Sequence, residues 1–161
     1  MRPDRFERLL VDAINRDGRL SAQTYSEADF TRSLYGIIAT TRLGVSANIQ
    51  IVGRLADGER NDQPAAPVIG APHPGFDSPD PDESGKLDLA AFEQYVTSLA
   101  VSAVSDEISS VALYQHRKEP GAVRYGATIT YNNGAATFLY VLSAGSARHE
   151  DYAPPATVSI Q

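Results

Sequence analysis

From Asp80 to Asp88 the chain sets side-chain oxygens at the first, third, fifth and ninth places of a short loop: Asp80, Asp82, Ser84 and Asp88. Gly85 stands sixth, where a sharp turn favours a residue without a Cβ, and Leu87 stands eighth. Hard divalent cations take such oxygens, and calcium tolerates irregular geometry around itself. The twelfth place, where a bidentate carboxylate belongs, is Ala91, and Glu93 comes two residues late. Proline-rich residues 73–81 precede the loop, so no helix enters it. A weaker echo runs from Asn15 to Ser21, with Ala13 and Thr24 in place of its first and last ligands. The plain reading of both is an acidic turn beside a helix, with Asp88 as a cap.

The stretch resembles the calcium loop of the EF-hand. That resemblance implies calcium as the ion and Asp80, Asp82, Ser84 and Asp88 as its ligands, at the weak, millimolar end of the range. No other cofactor is expected. The three histidines, His73, His116 and His149, are far apart, and none has a neighbour at metal-ligand spacing. His116 shares a strand face with Tyr114 in an alternating stretch, so these two, with Tyr125 and Tyr140, are the candidates for lining a small-molecule pocket. Core or interface packing is the plain reading for the tyrosines. Nucleophilic chemistry lacks its parts: there is no cysteine, no Gly-x-Ser-x-Gly elbow and no phosphate-cradling glycine loop. The adjacent carboxylates Asp106-Glu107 and Glu150-Asp151 diverge in any regular element and make no acid/base pair.

Charge narrows the partners. Residues 57–86 hold seven acids and two bases, six of the ten prolines and four of the twelve glycines, and so carry most of the chain's net charge of −6. Neither flank gathers the converging cations that phosphate binding needs, which argues against nucleic acid as a partner. No window has the run of about 18 apolar residues that spans a membrane. The N-terminal residues enter an amphipathic pattern directly, without a signal-like apolar stretch, so a cytoplasmic or virion-associated location is expected.

These candidates must be positioned by the flanking elements. Phe6, Leu9, Leu10, Ala13 and Ile14 recur at helical spacing, with Pro3 at the start and Asp17-Gly18 at the stop. A second helix is expected from Ser26, with Phe30, Leu34, Ile37 and Ile38 on its apolar face, ending near Gly44. Val45 to Leu55 alternates, with Val45, Ala47, Ile49 and Ile51 to one side, as a strand does. Asp88 opens a third helix through Leu89, Phe92, Val96, Leu99 and Ala103. A strand through residues 111–116 follows, then a hairpin about Asn133-Gly134, the dipeptide of a two-residue type I′ turn. That turn pairs Tyr131 with Ala136, Ile129 with Phe138, Ala127 with Tyr140 and Tyr125 with Leu142, an all-apolar face. Residues 157–160 suit a short edge strand.

The expected fold is therefore α+β: one domain over 1–161, interrupted by the acidic loop 57–86. Its antiparallel sheet has about four strands, a three-stranded C-terminal meander plus one N-terminal strand, packed on two to three helices. No internal repeat stands out. Motif poverty and the acidic, proline-rich excursion favour a non-enzymatic interaction or assembly protein, such as a virion or secretion component. It would be a homo-oligomer that docks on protein through the 57–86 loop and the C-terminal tail. The alternative follows from element order alone, which resembles the cone-shaped fold of ketosteroid isomerase and scytalone dehydratase. That resemblance implies a small-molecule-binding enzyme or carrier with a bent sheet.

Overall fold

The computed structural model describes residues 1–63, 66–83 and 85–145. Helix α1 (Pro3–Asp17) starts on a proline and ends at Gly18, whose φ of 82° lets its N–H reach the Ile14 carbonyl at 3.0 Å. Strands β1 (Ser21–Thr24), β2 (Gly36–Thr40) and β3 (Ser46–Arg54) follow as antiparallel neighbours. A two-stranded ribbon, β4 (Asp82–Glu83) and β5 (Lys86–Leu87), leads to helix α2 (Leu89–Ala103). Asp88 caps α2, its Oδ1 accepting the amides of Ala90 at 3.0 Å and Ala91 at 3.1 Å. Strands β6 (Ile108–Leu113), β7 (Gly126–Tyr131) and β8 (Ala136–Gly145) complete one six-stranded antiparallel sheet of order β1-β2-β3-β8-β7-β6. No helix among the described residues is long and apolar enough to cross a membrane.

The class is α+β, with six strands where about four were expected and two helices. The helix expected from Ser26 to Gly44 is instead a turn-rich connection and β2. Gly36 would weaken a helix, while Ile37, Ile38, Thr40 and Thr41 are β-branched and suit a pleated surface. The strand expected over 111–116 begins earlier, at Ile108, and gives way to a single 3-10 turn at Tyr114–His116. The edge strand expected over 157–160 and the C-terminal docking tail lie outside the described residues.

Although no repeat stands out in the sequence, the same α-β-β-β unit occurs twice, and the two copies share details. Phe6-Glu7 in α1 matches Phe92-Glu93 in α2; Tyr35-Gly36 matches Tyr125-Gly126; Gly44 matches Gly134. Gly44 and Gly134 have φ of 86° and 87° at the tips of corresponding hairpins. The Tyr35 and Tyr125 carbonyls accept the amides of Ile51 and Val141 at 3.1 and 3.0 Å. Glu7 accepts the Gly36 amide at 3.1 Å, as Glu93 accepts the Gly126 amide at 2.7 Å. The halves join at the sheet centre, where Gln50 pairs with Tyr140 on a pseudo-twofold axis.

Both helices pack on one face of this sheet. Phe6, Leu10, Ile14, Phe92, Val96 and Val101 meet Ile37, Ile49, Ile51, Ala127, Ile129 and Leu139 in one continuous core. Within the 57–86 segment, residues 70–78 cross the helix side of their own chain as a strap. Gly70 and His73 donate to the Asp106 and Ser105 carbonyls at 2.8 and 2.9 Å, and Arg19 donates to Ser78 at 2.8 Å. Phe76 packs against the core, whereas Val68 and Ile69 stay 50% and 62% exposed.

Candidate functional site

The outer face of the sheet owes its chemistry to a register one residue away from the expected one. The β7–β8 turn has three residues, not two: Tyr131 donates to the Ala135 carbonyl, and Gly134 takes the left-handed place of a type I turn with a bulge. Thr130 then pairs with Ala136, Ile129 with Thr137 and Ala127 with Leu139. A one-residue shift turns a strand over. Ala127 and Ile129 keep their expected place in the core, but Phe138 and Tyr140 move to the face away from the helices, with Gln50, Val52 and Arg54 of β3 beside them.

The two halves furnish this face differently. In the first, the connection after β1 folds Tyr25 onto it, packing with Ala28, Phe30 and Ile38 and donating its hydroxyl to Asn48. A Cβ at Gly36 would overlap the Tyr25 ring, so glycine makes room for it. Next to this small cluster, residues from Tyr25 to Leu34 line a surface hollow of about 540 Å³. In the second half, Tyr114 takes the place of Tyr25 against Gly126, and its hydroxyl lies 3.1 Å from Thr128 Oγ1. Tyr140 lies beside it, ring centroids 6.2 Å apart, and Phe138 stacks along Tyr140 at 6.3 Å with planes within 8°.

Two guanidiniums bracket these rings. Arg117 lies 3.4 Å from the centroid of Tyr114, and Arg54 lies 6.0 Å from that of Phe138. Neither forms an ion pair among the described residues, where the five ion pairs belong to Arg2, Arg5, Arg8, Arg19 and Arg60. Burial pushes the Tyr140 phenol above its ordinary pKa, with Tyr114 adding to the rise and Arg117 opposing it. The hydroxyl therefore stays protonated and able to donate. Aromatic rings flanked by cations whose charge is uncompensated can hold an apolar side chain and adjacent carboxylates together.

Of the four residues expected to line a pocket, Tyr114 and Tyr140 come together here. Tyr125 precedes β7 on the same alternation as Ala127 and Ile129 and carries Arg124 over its ring at 5.4 Å. His116 is exposed on the 3-10 turn after β6. Among the acidic loop residues, Asp88 is engaged as the α2 cap, and Asp80 Oδ1 accepts the Asp82 amide at 3.0 Å. Asp82 keeps a buried Oδ1 without a hydrogen-bond partner. Ser84 lies outside the described residues, among which no three His, Cys, Asp or Glu side chains are grouped to hold a metal ion. Sequence reasoning missed Arg54, Arg117 and Phe138; the signal for them was Gly134, read as part of a two-residue turn.

The chain matches no protein-family model, no curated protein and no solved structure.

Proposed function

We propose that this protein is a non-enzymatic interaction module that docks a protein partner on the outer face of its sheet. The observation that carries the reading is the stacked Phe138–Tyr140 pair on a central strand, flanked by Arg54 and Arg117, which form no ion pair among the described residues. Aromatic and arginine side chains dominate the binding energy of protein interfaces, because they bury large area with little loss of freedom. The remaining clusters of polar side chains support structure. Arg5 and Glu107 form a two-pronged pair at 2.9 and 3.2 Å, and Tyr95 donates to Asp17 at 2.9 Å under the Arg19 guanidinium. The strap is held against its own helices, and the sheet face is proposed as a docking surface beside it.

A titration with a synthetic peptide alternating glutamate and phenylalanine, followed by amide NMR, tests this. Shifts gathered on Gln50, Val52, Thr128, Phe138 and Tyr140 are expected. No change at millimolar peptide, or changes confined to α1 and α2, would contradict it.

A further inference from the structure

We infer that the occupant of this face is the acidic strap of a second copy of the chain, so that copies associate head to tail; this rests on the docking role proposed for the face. Charge selects the arrangement. Residues 57–86 hold seven acids against two bases, and Asp77 and Ser78 are held on the helix side by Gln94 and Arg19, while Arg54 and Arg117 on the opposite side form no ion pair among the described residues. A face-to-face dimer would bring two faces of like charge together and leave Asp77 and Asp80 outside the interface. Pairing unlike surfaces satisfies both, and it is the heterologous kind of contact.

The strap has the right form for a ligand. Asp77 and Asp80 are exposed, and the Ser78-Pro79 pair between them belongs to a proline-rich stretch outside any helix or strand. Arg19 and Gln94 hold this stretch from behind through Ser78 and the Asp77 carbonyl, at 2.8 and 3.0 Å. Holding the segment in place reduces the ordering cost of binding. Its carboxylates would meet Arg117 and Arg54, with the proline ring over the Phe138–Tyr140 pair.

Two variants of the full chain test the assignment. R54S/R117S removes the charge of the face, and D77K/D80N spoils the strap while keeping a side-chain acceptor for the Asp82 amide. Wild type should associate with rising concentration in sedimentation velocity, and its apparent affinity should fall roughly tenfold between about 50 and about 500 mM salt. Each variant alone should be monomeric with wild-type circular dichroism and a cooperative melt. Mixed, they retain one good strap and one good face and should form a single one-to-one complex. Wild type that is monomeric at every concentration and salt, or variants that fail to pair, would overturn the inference. If the Glu-Phe peptide still binds the face, the docking role survives with another protein as partner; if it does not, both fall.

Discussion

Glu93 shows how much one residue does here. Its carboxylate is buried and accepts the amides of Gly126 at 2.7 Å and Gln115 at 3.2 Å, tying α2 to both ends of the β6–β7 connection. Replacing it with alanine leaves those amides unpaired, at a cost of about 1–3 kcal/mol for each that is buried. Burial holds its pKa above the usual 4.5, with the two amides opposing. The folded state therefore binds this proton more tightly than the unfolded chain does. Its contribution is full below pH 4.5 and is lost as pH rises through the folded value. Glu7 shifts the same way, again mainly by burial, whereas Asp17, held low chiefly by Arg19, gives stability that is lost in acid. Urea unfolding from pH 4.5 to 7 should show a shallower decline in stability for E93Q than for wild type; equal slopes would contradict this origin. Gly36 and Gly126 make a second pair. A Cβ at either would overlap a strand carbonyl, and at Gly36 the Tyr25 ring as well, so G36A and G126A should each lose at least about 1–3 kcal/mol in denaturant melts.

At the scale of elements, what could be read from the sequence depended on whether local pattern was decisive. Helix α1 has apolar spacing, proline and glycine in agreement, and the β3 residues Ala47, Ile49 and Ile51 alternate into the core as expected. The run from Ser26 to Gly44 was ambiguous, because four apolar residues at helical spacing also contain a β-branched strand. Its pairing with β3 decides the matter, and that contact is not local. The hairpin shows a subtler limit. Asn133-Gly134 marks a turn, but loop length sets register, and one residue separates a Phe138 in the core from a half-buried one on the outer face. Tyr114 and Tyr140 were legible as candidates, while their arginine neighbours were not, since the register that gathers them could not be read. Register makes a measurable claim. L139A should cost about 2–5 kcal/mol by emptying core volume. F138A removes a larger side chain from the outer face and should cost under about 2 kcal/mol. The reverse order in thermal or urea melts would restore the two-residue turn.

For the whole molecule, the repeated unit accounts for the shared core, and the divergence of its two copies for the asymmetry of the outer face. Two α-β-β-β units share a sheet across the Gln50–Tyr140 pair, so each supplies a helix to one core. On the outer face the units have diverged: one carries the Tyr25–Phe30 cluster, the other the arginine-bracketed aromatic row. The strap belongs to neither sheet half. Removing residues 60–80 takes away Phe76 and several backbone hydrogen bonds but no sheet strand, so unfolding should stay cooperative with a loss of about 1–3 kcal/mol. A broad, non-cooperative melt would place the strap in the core instead. The most direct test of the docking face is hydroxyl-radical footprinting of wild type at low salt, comparing dilute with concentrated protein. Protection that grows with concentration at Phe138 and Tyr140 is the predicted result. Protection confined to the helices, or none at all, would contradict it.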